Sequence, residues 1–215
     1  MVAPLGILGG TFDPIHYGHL RMAEELAEAL AIEEVRIIPA GQPPHRGAPR
    51  TPAHHRLEMA RLAISGNPRF GLDEREVRLA RASYTVDTLT DLRAELGMAR
   101  PIWLFMGADA FLGLPGWKEW RQLFELAHLA VAHRPGYRLR QSDALPDELR
   151  QELERRHVEN PPSAPAGGIL LKPVTQLDIA ATEIRARLMA GRSVRYLVPD
   201  GVLDYIQQHR LYPPA

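Results

Sequence analysis

Short apolar runs alternate with helix-period segments along these 215 residues. That alternation predicts an α/β fold, a Rossmann-like, doubly wound parallel sheet with helices on both faces. Two further observations agree. The apolar runs that end at Leu8 and Met106 are followed directly by glycine, the residue a strand-to-helix turn favours. The composition, 45% hydrophobic and 24% charged, is that of an ordinary globular domain.

Residues 5–8 read as a buried strand. Residues 20–30 carry Met22, Ala23, Leu26, Ala27 and Leu30 at helical spacing. Residues 35–39 form a second strand, and 41–52, rich in Pro, Gly and Arg, a loop. Residues 54–64 are helical through Leu57, Met59, Ala60 and Ala63, and 69–79 look extended. A helix follows over 85–96, then a strongly apolar strand over 102–106. Residues 123–127 are helical and 128–133 extended. Polar, Pro-rich residues with a charged helical patch at 147–156 make about 137–167 a surface excursion. The chain returns as a strand at 169–171 and closes with helices at 182–189 and 202–208, the C-terminal helical part starting at about residue 180. The expectation is a single domain over 1–215, without internal repeats or low-complexity segments.

Composition excludes several classes of function. Lys+Arg is 26 and Asp+Glu is 26, so there is no basic excess for nucleic acid. There is no cysteine, which removes disulfides, thiolate catalysis and cysteine metal sites and fits a cytoplasmic protein. No apolar run approaches the ~20 residues of a membrane span, and the opening MVAPLGILGG lacks the charged start of a secretory leader.

The chemistry concentrates in Gly9-Gly10-Thr11-Phe12-Asp13-Pro14-Ile15-His16-Tyr17-Gly18-His19. This stretch is strand end, glycine turn, loop and helix start in one. A helix start offers unpaired N–H groups and a partial positive charge, which suit phosphate. His16 and His19 add donors for developing negative charge. The glycine spacing is not G-x-G-x-x-G, and neither lysine, Lys118 nor Lys172, sits in a P-loop context. A histidine metal pair lacks a third ligand at useful spacing, since His54 and His55 are helix neighbours expected to point apart.

Other candidates are read from local chemistry. Pro43-Pro44-His45-Arg46 is either plain turn chemistry or a stiff loop presenting His45 and Arg46 to phosphate. Ser83-Tyr84-Thr85 opens a helix, where Ser or Thr could cap it or free N–H groups could hold a carboxylate. Trp117 is a core residue or a flat face for an aromatic ring. Asp109, behind Gly107, is a helix cap or a ligand for a ribose diol. Thr182 and Arg185 open a late helix as a cap or as a phosphate cradle.

The N-terminal stretch resembles the signature of the nucleotidyltransferase superfamily marked by (H/T)-x-G-H. Nearly the whole chain is similar to bacterial nicotinate-mononucleotide adenylyltransferases. The blocks, in family order, are Pro43-Pro44-His45-Arg46, Ser83 to Leu89, Met106-Gly107-Ala108-Asp109, Pro115-Gly116-Trp117, His133 to Tyr137 and Ile179 to Arg185. Lys118 stands where the family often carries an aromatic, and Ala180 where it usually carries serine.

The resemblance implies transfer of an adenylyl group from ATP to nicotinate mononucleotide. It implies His16 and His19 as catalytic residues. It puts Gly9, Gly10, Gly107, Asp109, Arg134, Thr182 and Arg185, with the two histidines, on ATP. It puts Thr11, Phe12, His45, Arg46, Ser83, Tyr84, Thr85 and Trp117 on the acceptor. Mg²⁺ comes with ATP, and no residue is assigned to metal. The partners are the two nucleotides, with no nucleic acid or membrane; oligomeric state is not legible. Alternatives are a phosphopantetheine adenylyltransferase-like enzyme and a catalytically silent nucleotide-binding regulator.

Overall fold

The computed structural model describes residues 2–43, 49–175 and 177–213. Seven strands form one sheet in the order β3-β2-β1-β4-β5-β7-β6. They are β1 (Leu5–Gly10), β2 (Glu34–Pro39), β3 (Phe70–Leu72), β4 (Ile102–Gly107), β5 (His128–His133), β6 (His157–Val158) and β7 (Ile169–Pro173). The helices are α1 (Tyr17–Ala29), α2 (Ala53–Ile64), α3 (Thr85–Leu96), α4 (Ala108–Leu112), α5 (Leu123–Leu126), α6 (Asp147–Arg156), α7 (Ala181–Met189) and α8 (Asp200–Gln208). The chain divides into two compact units.

The first unit is Met1–Gly9, Met22–Arg36 and Tyr84–Gln176. Its central strands are apolar on both faces. Five of the six residues of β4, and five of the six of β5, are buried, as expected of parallel strands covered on each side. Leu5 pairs in parallel with Ile102, Leu104 with Leu129, and Leu129 with Ile169. Sequence order reverses between β1 and β4, the switch point at which such sheets bind ligands outside their carboxyl ends. Gly6 is demanded by packing, because a Cβ there would sit 2.7 Å from the Phe105 ring. Trp103 stacks on buried His128 at 4.4 Å. Residues 137–167, expected as a surface excursion, also carry secondary structure. Leu139, Leu145, Leu149 and Leu153 are buried, and β6 pairs with β7.

The second unit is Gly10–Arg21, Ile37–Ser83 and Leu177–Ala215. Here one sequence expectation is corrected. Residues 69–79 are extended only over β3. The rest is a turn, closed by Arg78 N–H to the Glu74 carbonyl and Leu79 N–H to the Glu76 carbonyl. The acids and arginines that mimic strand alternation pair locally instead, Asp73 with Arg75 and Glu74 with Arg78. Gly41 lies so close to this turn that a Cβ would stand 2.1 Å from the Glu76 carbonyl oxygen.

Candidate active site

From Gly10 to His19 the glycine–histidine stretch belongs to the second unit. α1 begins at Tyr17, three residues earlier than its apolar period suggests, so the motif contains the helix start. The His16 carbonyl accepts from the N–H groups of His19 and Leu20, at 3.0 and 3.3 Å. In return His19 Nδ1 accepts from the His16 N–H at 3.3 Å. That is one half of a capping box, the side chain three residues on accepting from the N–H ahead of the helix, with an imidazole in place of the usual carboxylate. Because Nδ1 is the acceptor, a neutral His19 carries its proton on Nε2. The two imidazoles stack at 3.7 Å, and the Phe12 ring meets His19 edge-on at 5.1 Å.

His16 is buried, and its Nδ1 has no hydrogen-bond partner among the described residues. Burial pushes its pKa down to about 4, so the ring is neutral near pH 7. Gly18 makes room for it, since a Cβ would lie 3.0 Å from His16 Nδ1 and 3.6 Å from the Ile179 carbonyl. Gly10 does the same for Phe12, whose ring a Cβ would meet at 2.7 Å. Phe12 itself is buried, with φ at 50°, so its side chain supports His19 from the interior.

Buried hydrogen bonds pin the loop. The Arg56 guanidinium, inside α2, donates to the carbonyls of Thr11 at 2.7 Å, Gly41 at 2.8 Å and Thr51 at 3.1 Å. Burial lowers its pKa, and Asp13 opposes that shift. Asp13 Oδ2 accepts from the Arg50 N–H at 2.9 Å and Oδ1 from the Tyr212 hydroxyl at 2.6 Å. The Asp13 carbonyl accepts from Arg185 Nη1 at 2.7 Å. Arg185, Thr182, Arg50 and Met189 line a cavity of about 430 Å³. Thr182 is exposed and caps nothing. The N-cap of α7 is Ala180, with no side-chain bond to the first-turn amides.

Ser83 also belongs to the second unit. It is buried, and its hydroxyl has no partner among the described residues. His45 and Arg46 lie outside the described residues. His54 and His55 do not point apart. Their rings are 4.1 Å from each other, with His55 Nδ1 2.9 Å from the Tyr205 hydroxyl. Among the described residues no group of three or more His, Asp or Glu could hold a metal ion.

The first unit carries the remaining candidates. Gly9, Gly107 and Arg134 lie at or just beyond the carboxyl ends of β1, β4 and β5. Gly107 is the N-cap of α4, and Asp109, in its first turn, is exposed and makes no side-chain cap. α3 starts at Thr85 with Tyr84 as N-cap and no side-chain cap bond, so neither Ser83 nor Thr85 fills the capping role. Trp117 is half-buried, whereas Trp103 and Trp120 are buried in the core. Lys118 Nζ pairs with Asp87 at 2.9 Å and lies 4.9 Å above the Tyr84 ring. The Asp87 bond raises the lysine's pKa.

Sequence reasoning missed Asp13, Arg50, Arg56 and Tyr212 as supports of the loop. Arg56 leaves one trace, a charge within an apolar helical period. Tyr212 leaves none.

Residues 7–187 match the cytidylyltransferase-like family. A probable nicotinate-nucleotide adenylyltransferase of Dechloromonas aromatica is 54% identical over 99% of both chains. One from Chromobacterium violaceum is 49% identical over 99% of this chain and all of its own. The chain belongs to the nicotinate-nucleotide adenylyltransferase family. A solved Plasmodium falciparum nicotinic acid mononucleotide adenylyltransferase complexed with NaAD shares the fold. It has a TM-score of 0.74 at 19% identity, over 98% of this chain and 97% of that one. No helix among the described residues is long and apolar enough to cross a membrane.

Proposed function

We propose that this member of the family transfers the adenylyl group of ATP to nicotinate mononucleotide, giving nicotinate adenine dinucleotide and pyrophosphate. The acceptor's 5′-phosphate is anionic at neutral pH and needs no general base. One of its oxygens forms a bond to the α-phosphorus of ATP as the bond to pyrophosphate breaks, in line. Catalysis then rests on positioning and on donors aimed at developing charge.

The observation that carries this reading is the stacked His16–His19 pair on a pinned helix start. The His19 tautomer directs an Nε2 proton away from its capping bond, as a donor for phosphate oxygen. Thr11 and the Gly9-Gly10 backbone hold the reacting phosphate. Thr182, Arg185 and Arg134 serve the outer phosphates of ATP, and Gly107 and Asp109 its nucleoside. Mg²⁺ enters as part of the ATP substrate, and the protein is cytoplasmic. Ser83, Tyr84, Thr85, Trp117, His45 and Arg46 serve the acceptor, with Phe12 supporting His19. The start of α3, free of side-chain caps, favours a carboxylate over a carboxamide.

The test is pyrophosphate release from ATP with three acceptors. Nicotinate mononucleotide should give a kcat/KM at least ~10-fold above nicotinamide mononucleotide, the equivalent of ~1.4 kcal/mol. Phosphopantetheine should give none. Preference for phosphopantetheine would move the chain to that enzyme class. Release with none of the three would support a silent nucleotide-binding regulator.

A further inference from the structure

We propose that Tyr212 is a positioning residue for adenylyl transfer, its hydroxyl fixing through Asp13 the loop that presents His16 and His19. The proposal rests on the activity proposed above. The bond joins groups 199 positions apart in sequence, with the tyrosine hydroxyl 2.6 Å from Asp13 Oδ1. Both side chains are buried, at 7% and 6% exposure, so water does not compete for the bond. Burial, and then the bond to Asp13, raise the phenol's pKa, so it keeps its proton and donates. The Thr51 side chain bonds to the same phenol.

The backbone bends to make this contact. Tyr212 has φ at 54°, in the left-handed region that disfavours residues with a Cβ. Such a conformation persists where surrounding bonds over-determine it. A phenylalanine carries the same ring, so ring packing alone does not call for the hydroxyl. Its bond leaves neither carboxylate oxygen of Asp13 unpaired, since Oδ2 is held by the Arg50 N–H. The Asp13 carbonyl is held by Arg185 from α7. Asp13 is therefore where the loop, the arginine of α7 and the C-terminal segment meet. His16 follows it by three residues.

The experiment is Tyr212→Phe, read in two ways. Steady-state kinetics should give a kcat lower by about 10-fold, the scale of one hydrogen bond to a charged group, with the KM for nicotinate mononucleotide within about 2-fold. NMR titration of His16 in the ligand-free protein should show its depressed midpoint moving up by about a unit or more as the loop loosens and water enters. The stacked His19 ring must be followed in the same spectra. A folded variant with unchanged kcat and unchanged His16 titration would overturn the proposal. So would a fall in melting temperature with kcat per folded molecule and His16 unaltered. Should Tyr212→Phe fail to fold, Asp13→Asn exchanges the charged acceptor of this bond for a weaker amide oxygen, and both readouts should change in the same direction. An enzyme that transfers to no acceptor would sink the proposed activity, and the His16 titration would then decide the positioning by itself.

Discussion

The histidine loop and the surface around Trp117 are held by different kinds of contact. In the loop, Thr11, Asp13 and the His16 backbone are each tied by buried or part-buried hydrogen bonds, and the Arg56 guanidinium spans three carbonyls. Around Trp117 the side-chain ties include an exposed ion pair, Lys118–Asp87, and a cation resting above the Tyr84 ring. Exposed pairs contribute little, roughly 0–1 kcal/mol. A bonded buried group cannot be removed without leaving its partner unsatisfied. The contrast follows the chemistry each region is proposed to serve. Donors that meet charge in a transition state must stand in place beforehand. A face that stacks on a ring can adjust as the ring arrives.

If the loop is rigid because it is buried, acid should break it first. His16 has a folded pKa of about 4, against an unfolded value of about 6.5. Between those values the unfolded chain binds more protons, so the stability His16 contributes is present above pH 6.5 and is lost as pH falls towards 4. The loss reaches up to about 3 kcal/mol. Melting curves from pH 7 to 4 should therefore fall more steeply for the wild type than for His16→Gln, because the carboxylates common to both cancel. Parallel curves would mean that His16 is not held as a buried neutral ring.

The other side of the contrast calls for a smaller effect. Trp117→Ala should stay folded and weaken nicotinate mononucleotide binding by ~1–3 kcal/mol, by analogy with base–aromatic stacking. Titration calorimetry reads both enthalpy and affinity. Unchanged affinity in a folded variant would return Trp117 to a packing role.

The same contrast explains what can be read from the sequence. Strand β4 is apolar up to its closing glycine and β5 is apolar between its two terminal histidines, so their existence and nearly their ends follow from the pattern. The H-x-G-H motif is legible because its chemistry is local: His16 and His19 meet at one helix start, three positions apart. β3 reads too long because charges alternating in sequence look like a strand until they pair with each other. Ser83, Thr85 and Thr182 carry the right side chains for capping, yet Tyr84 and Ala180 occupy the N-caps. The roles of Arg56 and Tyr212 are beyond local pattern, because the loop partners they hold, Thr11 and Asp13, lie 45 and 199 positions away. Local pattern thus names the groups proposed to meet phosphate, and long-range contacts name those that hold them.

The central claim is that the pinned loop supplies a preorganised donor through His19. Turnover and melting temperature of His19→Ala, measured on one preparation, test it most directly. The variant should lose ~10²-fold or more in kcat, the scale of one preorganised donor. Its melting temperature should fall by only a few degrees, as for the loss of a helix-cap acceptor worth about 1 kcal/mol. Near-normal turnover in a folded His19→Ala protein would contradict the account.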